Sequence, residues 1–161
     1  MQNDCSCFVK TKEGLVMTMR RFANHVIAVA NSNSTKVTNL QLQKVMFFTM
    51  GFHMRETRRI DELVENTYTI PFEKWQYGPV VESIYHSYSI YRDKPIIESG
   101  ELFNEYTRWN SLILRLLKMD VFKLVKTSHQ MNAWARFETE ILAKRYVEPY
   151  TLDEIFEDFT R

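Results

Sequence analysis

The sequence predicts a mainly α-helical protein, a compact single-domain bundle of about six to seven helices. Three observations predict this fold. The chain has 161 residues, the size of one domain. It contains only four Gly and four Pro, too few for a turn-dense β-sandwich or barrel. Hydrophobic residues make up 45% of it and largely recur at the spacing of a helix face, so the chain can bury a helical core.

The N-terminal part divides into an extension and two helices. Residues 1–16 have no apolar period, and we expect a flexible N-terminal extension before a helical domain at 17–161. Apolar spacing predicts a first helix over about residues 17–31. Thr38 and Gln41 form a capping-box pattern, which predicts a second helix through about Arg55. Apolar residues cover most of the circumference of this second helix, so it should run through the core.

The middle of the chain contains the one candidate for β structure. Apolar and polar residues alternate up to Phe72, which favours one short strand pair near residues 66–72. Gly78-Pro79 then interrupts the pattern. Because proline suits the first turn of a helix, Pro79 is predicted to open the next helix.

Four further helical segments are predicted towards the C-terminus. A helical stripe runs from Leu102 to Leu117, and Asp120 is placed to cap a short helix at 121–125. Asn132 is placed to cap the next helix, whose inward-facing residues are Trp134, Phe137, Ile141 and Leu142. Thr151 and Glu154 form a second capping box, before the apolar stripe Leu152, Ile155, Phe156 and Phe159. This last stripe is expected to bury against the domain itself.

Composition excludes several classes of protein. A net charge of +1 excludes a uniformly basic nucleic-acid binder. Cys5 and Cys7 cannot form a disulfide framework, so a reducing cytoplasm is expected. The apolar stretch 45–52 is too short to span a membrane, and the first residues do not have the pattern of a secretory signal.

Three stretches together resemble a known family. They are Val37-Thr-Asn-Leu-Gln-Leu-Gln-Lys44, Phe72-Glu-Lys-Trp-Gln-Tyr-Gly-Pro-Val-Val81 with Tyr85, and Ser128-His129 with Trp134. They resemble the Panacea domain, also called the SocA-like antitoxin family, which includes phage-associated proteins of the GepA type. The likeness extends over about residues 22–159. The chain departs from the family pattern at Ser128, where Thr is usual, and at Ala133, where Pro is usual.

The resemblance implies a mainly helical, non-enzymatic protein-binding domain in a bacterial cytoplasm, encoded by a chromosome or a phage. Such a domain acts as an antitoxin or a phage-encoded neutraliser that inhibits a toxin or another host or phage target by direct contact. One family member is an adaptor that presents its toxin to a protease, so a protease is a further candidate partner. No membrane partner is implied.

The candidate partner-binding residues come from the three stretches. They are Asn39, Gln43, Lys44, Trp75, Tyr77, Gly78, Pro79, Tyr85, His129 and Trp134. A structural reading competes with this one. A Gly-Pro step fixes the direction of the backbone, and aromatic residues beside it usually bury, so the structural reading is favoured for residues 75–79. For Asn39, Gln43 and Lys44, a role as buried hydrogen-bond anchors is favoured over contact with a partner.

Charge is distributed unevenly and supports an alternative function. Between residues 17 and 59 there are seven basic residues and one acidic residue, and the basic region is Arg20, Arg21, Lys36, Lys44, Arg55, Arg58 and Arg59. The C-terminal helix carries an acidic patch of Asp153, Glu157 and Asp158, which is expected to face water. Solvated helix faces that attract one another explain most of these charges. The alternative is a phage or prophage nucleic-acid-binding regulator that uses the basic region.

No catalytic residue, metal site or cofactor is predicted. Ser128 and His129 are neighbours along the chain, whereas a nucleophile and its base need side chains that face each other. An enzyme centred on His129 therefore ranks last. His25, His53 and His86 do not have the spacing of a zinc helix, and Cys5 and Cys7 have no second cysteine pair.

Overall fold

The structure is a computed structural model that describes residues 18–161. Within this range the protein is mainly α-helical and has one short two-stranded antiparallel sheet, which confirms the predicted fold class. Its helices are α1 (Met19–Ser32), α2 (Asn39–Thr57), α3 (Glu62–Thr67), α4 (Glu82–Ser87), α5 (Asn110–Leu117), α6 (Val121–Gln130), α7 (Asn132–Ala135), α8 (Glu138–Leu142) and α9 (Leu152–Thr160). Two 3-10 helices span Ser89–Tyr91 and Asn104–Trp109. The predicted extension at residues 1–16 lies outside the described residues.

Helix α2 is the central element of the core. Its predicted capping box is confirmed, because the Thr38 hydroxyl accepts a hydrogen bond from the Gln41 N–H and the Gln41 side chain accepts one from the Thr38 N–H. Every residue from 42 to 51 is buried. Such a helix needs neighbours on several sides, and α1, α5, α6 and α9 all pack against it.

Helix α9 covers one side of α2, as the apolar stripe predicts. The Thr151–Glu154 capping box is present, and Ile155 and Phe159 are buried. A Cβ at Gly51 would lie 2.2 Å from the Phe159 ring, so glycine at this position allows the aromatic ring to rest directly on the α2 backbone.

The strand pair lies further along the chain than predicted. Strands β1 (Glu73–Trp75) and β2 (Gly78–Val80) form a hairpin, whereas residues 62–67 are helix α3 and residues 68–72 are irregular. Pro79 therefore lies in β2, and the prediction that it opens a helix is wrong. Pro79 is opposite Lys74. A proline has no N–H to donate, so it is tolerated at a pair that exchanges no hydrogen bonds, and every second pair of an antiparallel ladder is of this kind.

Three boundaries in the C-terminal half also differ from the prediction. Leu102 is exposed and precedes the first helical residue of its segment, Asn104. Helix α6, capped by Asp120 as predicted, continues to Gln130. The helix predicted after Asn132 is divided into α7 and α8. In the middle of α7, the Trp134 indole bonds to the hairpin and the Ala133 N–H bonds to α9.

Within residues 18–161, no helix is both long and apolar enough to cross a membrane.

The prediction that Leu142 faces inward is also wrong. Leu142 is the last residue of α8 and is 53% exposed.

Candidate functional site

The three stretches that carry the family resemblance meet in space around the β1–β2 hairpin. Lys44 on α2 donates a hydrogen bond from Nζ to the Pro79 carbonyl at 2.7 Å. Gln43, one residue earlier, accepts one from the Val81 N–H at 2.9 Å. From the other side, the Trp134 indole donates to the Trp75 carbonyl at 2.9 Å. Helices α2 and α7 therefore fix the hairpin through its own backbone groups.

Asn39 extends this anchoring to the helix that follows the hairpin. Its amide nitrogen donates to the Tyr85 carbonyl on α4 at 2.9 Å, and its amide oxygen accepts from Gln43 at 3.3 Å. Asn39 is 2% exposed and Gln43 is fully buried. A buried polar group is stable only when it is hydrogen-bonded, and these two groups are. Their geometry matches the reading as anchors.

Lys44 is fully buried as well, so it does not belong to a solvated basic surface. This corrects its place in the predicted basic region. Burial lowers the pKa of Lys44 to about 7, because the charged ammonium loses its hydration. The amine donates to a carbonyl in either protonation state.

Gly78 allows the hairpin to lie close to α6. Its φ is +93°, a conformation that a β-branched residue does not readily adopt. A Cβ there would lie 2.5 Å from the Ser128 hydroxyl and 3.2 Å from the Lys44 Cε. Both the conformation and the space at this position therefore require glycine.

Ser128 and His129 point to different partners. The buried Ser128 hydroxyl donates to the Val125 carbonyl of its own helix at 2.7 Å. The His129 ring stacks on Trp134, with centroids 3.8 Å apart and planes inclined by 14°. Burial lowers the pKa of His129, which favours a neutral ring on the indole. The two side chains do not have the geometry of a nucleophile and its base.

The other half of the motif is only partly buried. Tyr77, in the two-residue turn of the hairpin, is 55% exposed. Trp75 is half-buried, packs edge-on against Tyr85 at 5.2 Å, and donates its indole N–H to Glu73 at 2.7 Å. We call Trp75, Tyr77, Tyr85 and His86 the hairpin face. The structure thus divides the motif into buried anchors and an aromatic surface.

The predicted basic region does not form one surface. Arg21 forms an ion pair with Glu105 at 2.6 Å and covers the Phe103 ring. Arg20 donates to the Ser87 hydroxyl. Arg20 stays exposed on α1, Lys36 is exposed before α2, and Arg55, Arg58 and Arg59 are exposed at the C-terminal end of α2.

The acidic patch on α9 is also only partly as predicted. Asp153 and Glu157 are exposed. Asp158 is half-buried and accepts a hydrogen bond from the Ala133 N–H at 3.0 Å. Burial raises the pKa of this carboxyl group. Asp158 therefore connects α9 to α7 and does not simply face water.

Sequence reasoning missed two arginines that share a groove with the end of α2. Arg108 and Arg115 lie with Arg55 and Arg58 around a cavity of about 740 Å³. Their spacing was the available signal, because residues 108, 111, 112 and 115 fall on one face of a helix. Nothing in the sequence places that face beside α2.

Sequence reasoning also missed a buried ion pair below the hairpin. Lys74 of β1 is 6% exposed and pairs with Glu154 of α9 at 3.0 Å. Glu154 is bonded to Arg136 as well. Burial alone would raise the pKa of Glu154, but the Thr151 N–H and these two cations lower it. This pair joins the hairpin to the C-terminal helix.

Among residues 18–161 there is no group of three or more His, Cys, Asp or Glu side chains arranged to hold a metal ion. Cys5 and Cys7 lie outside the described residues. No family model matches the chain, and comparison with curated proteins and with solved structures found no similar protein.

Proposed function

We propose that this protein is a non-enzymatic protein-binding domain of the Panacea or SocA-like type. It acts as an antitoxin or a phage-encoded neutraliser that inhibits a partner protein by direct contact. The observation that carries the proposal is the hairpin face, an aromatic surface formed by the most specific of the three resembling stretches. An antitoxin needs such a surface, whereas the buried part of the same stretch explains only how the domain folds.

The hairpin face suits protein recognition because it is held in place before a partner binds. Bonds from α2 and α7 fix the backbone at Trp75, Pro79 and Val81. Little conformational entropy is therefore lost on binding. Aromatic side chains in such positions are typical of the residues that dominate binding energy.

Charge around the hairpin face indicates the kind of partner. Glu73 accepts the Trp75 indole N–H, and Glu82 lies 3.5 Å from His86. Acidic groups that border an aromatic centre favour a partner whose docking surface combines apolar and basic residues.

The test is to co-express the chain with the product of each gene that flanks its own and to measure growth and co-purification. We expect one product to be toxic alone, and this chain to suppress that toxicity at equal stoichiometry. Tyr77→Ala should weaken binding at least tenfold and restore toxicity while the melting temperature stays unchanged. Ile97→Ala is the control, because it truncates an 83% exposed side chain outside the hairpin face.

Three results would contradict the proposal. Suppression by far less than one copy of this chain per partner, with the abundance of the partner unchanged, would indicate an enzyme. Full protection by the double variant of Trp75→Ala and Tyr77→Ala would show that the hairpin face is not the contact. Absence of a protein partner, with salt-sensitive binding to nucleic acid, would favour the regulator. A fall in partner abundance that requires both this chain and a protease would identify the adaptor mode.

The alternative function is a nucleic-acid-binding regulator, which has fewer available basic residues than the sequence predicted. Lys44 is buried and Arg21 is paired, so two residues of the basic region are not available to phosphates. The exposed arginines at the end of α2 remain, and their surroundings suggest a smaller ligand.

A further inference from the structure

A concave site lies between the end of α2 and helix α5, away from the hairpin. We call it the arginine groove. Its volume is about 740 Å³, within the range of small-molecule sites. Its charged lining consists of Arg55, Arg58, Arg108 and Arg115 with Glu56. Phe52, Trp109 and Leu112 add apolar surface.

Two helix faces supply these side chains. Residues 52, 55 and 56 share one face of the last turns of α2, and residues 108, 111, 112 and 115 share one face that leads into α5. The two helices pack against each other, so both sets border the same space. The side chains that line the groove are therefore carried by rigid elements. Helix α2 ends at Arg58, which has the left-handed conformation.

The groove offers hydrogen-bond donors in excess. Within residues 18–161, none of its four arginines forms an ion pair, whereas the half-buried Arg21 and the exposed Arg136 each bind a carboxylate. The Trp109 ring, 2% exposed, also has an indole N–H with no acceptor in this part of the chain. His53, in the same lining, is held by Asp61 at 2.6 Å. Four like charges at one concavity repel one another, and a bound anion would relieve this repulsion.

We propose that the arginine groove binds a compact phosphorylated ligand that carries an aromatic or apolar portion, of about the size of a nucleotide. The planar guanidinium forks match phosphate oxygens in pairs. The apolar surface of Phe52 and Leu112 accommodates the uncharged portion. This site shares no residue with the hairpin face, so it is a second function beside partner binding.

The probes are ATP, inorganic tripolyphosphate and adenosine, each titrated into the full chain by calorimetry at physiological ionic strength. We expect ATP to bind at one site per chain, tripolyphosphate to bind more weakly, and adenosine to give no detectable heat. Arg58→Gln and Arg115→Gln should each lower the affinity for ATP at least tenfold. Arg145→Gln is the control, since it removes the same charge from an exposed position outside the groove.

Several outcomes would overturn the inference. One is that neither ATP nor tripolyphosphate binds at millimolar concentration. Another is that Arg145→Gln weakens binding as much as Arg115→Gln, which would indicate unspecific charge attraction. A single-stranded oligonucleotide of about 12 nucleotides that binds more tightly than ATP would make the groove part of a nucleic-acid surface. Co-purification with a protein partner should be unchanged in Arg115→Gln, so failure here and failure of the proposed function are distinguishable.

Discussion

Lys44 should make the stability of the protein depend on pH between about 7 and 10.5. The unfolded chain titrates this amine near its ordinary pKa of 10.5, whereas burial lowers the pKa to about 7 in the folded protein. Between these values the unfolded state binds more protons, so the free energy of unfolding should rise with pH by about 1.4 kcal/mol per unit. Below pH 7 both states are protonated and the full desolvation penalty is present.

The Lys44→Met variant has no titrating amine at this position, so its stability should not rise with pH in this way. Denaturant unfolding of both proteins between about pH 6 and about pH 9 should show the wild type gaining stability relative to the variant as the pH rises. Parallel stability profiles for the two proteins would show that the amine is hydrated in solution.

At the scale of single residues, burial was more predictable than bonding partners. The wide apolar surface around Lys44 and Gln43 predicted that polar side chains there would be internal anchors, and they are. The identity of the groups they bind, the Pro79 carbonyl and the Val81 N–H, depends on how the hairpin folds. No local pattern contains that information.

At the scale of elements, α9 is held chiefly by Phe159. This ring is 4% exposed and lies 5.2 to 5.6 Å from the rings of Phe47, Phe48 and Phe52. Phe159→Ala should therefore cost about 3 to 5 kcal/mol of stability, measured by denaturant unfolding. Phe156 is only half-buried, so Phe156→Ala should cost clearly less, which corrects the expectation that the whole stripe is buried.

The paired comparison has an internal control. Asp153→Asn, on the exposed side of the same helix, should leave the unfolding midpoint nearly unchanged. If Phe156→Ala were as destabilising as Phe159→Ala, α9 would have to pack in a different rotation from the one in the structure.

Helix starts were the elements most visible in the sequence. The caps at Thr38, Asp120 and Thr151 are local patterns of three or four residues, and all three are present. The cap predicted at Asn132 is wrong, because Asn132 is the first residue of α7 and the preceding Met131 forms no side-chain cap. The hairpin was misplaced because Gly78-Pro79 is compatible with a helix start and with a turn. Bonds from α2 and α7, which are distant in sequence, decide between the two.

At the scale of the whole molecule, charge patterning along the chain did not predict where charges meet. The basic N-terminal region and the acidic C-terminal segment were expected to attract each other. Within residues 18–161, the ion pairs instead join Arg21 to Glu105, and Lys74 and Arg136 to Glu154. The arginine groove likewise combines segments about 50 residues apart, so it appears only once α2 and α5 are packed together.

His25 connects α1 to the distant stretch from Phe103 to Asn110, so its protonation should affect the packing of the domain. The ring is fully buried, and its Nδ1 accepts a hydrogen bond from the Phe103 N–H at 2.9 Å. The proton of the neutral ring is therefore on Nε2, which donates to Asn110 at 2.7 Å. Burial lowers the pKa of His25 below its ordinary value of 6.5, although Asn110 and Glu105 oppose the shift.

The sign of the resulting pH dependence follows from this lowered pKa. Above about pH 6.5 both states hold a neutral His25 and its contribution is complete. As the pH falls below 6.5, the unfolded chain binds a proton that the folded chain resists, so stability is lost. In the folded state that proton would have to occupy Nδ1, opposite the Phe103 N–H. The neutral variant His25→Gln should be less sensitive, so the stability difference between wild type and variant should shrink from about pH 7.5 to about pH 5. If calorimetric unfolding gave a constant difference over this range, His25 would not be the acid-sensitive link between α1 and α5.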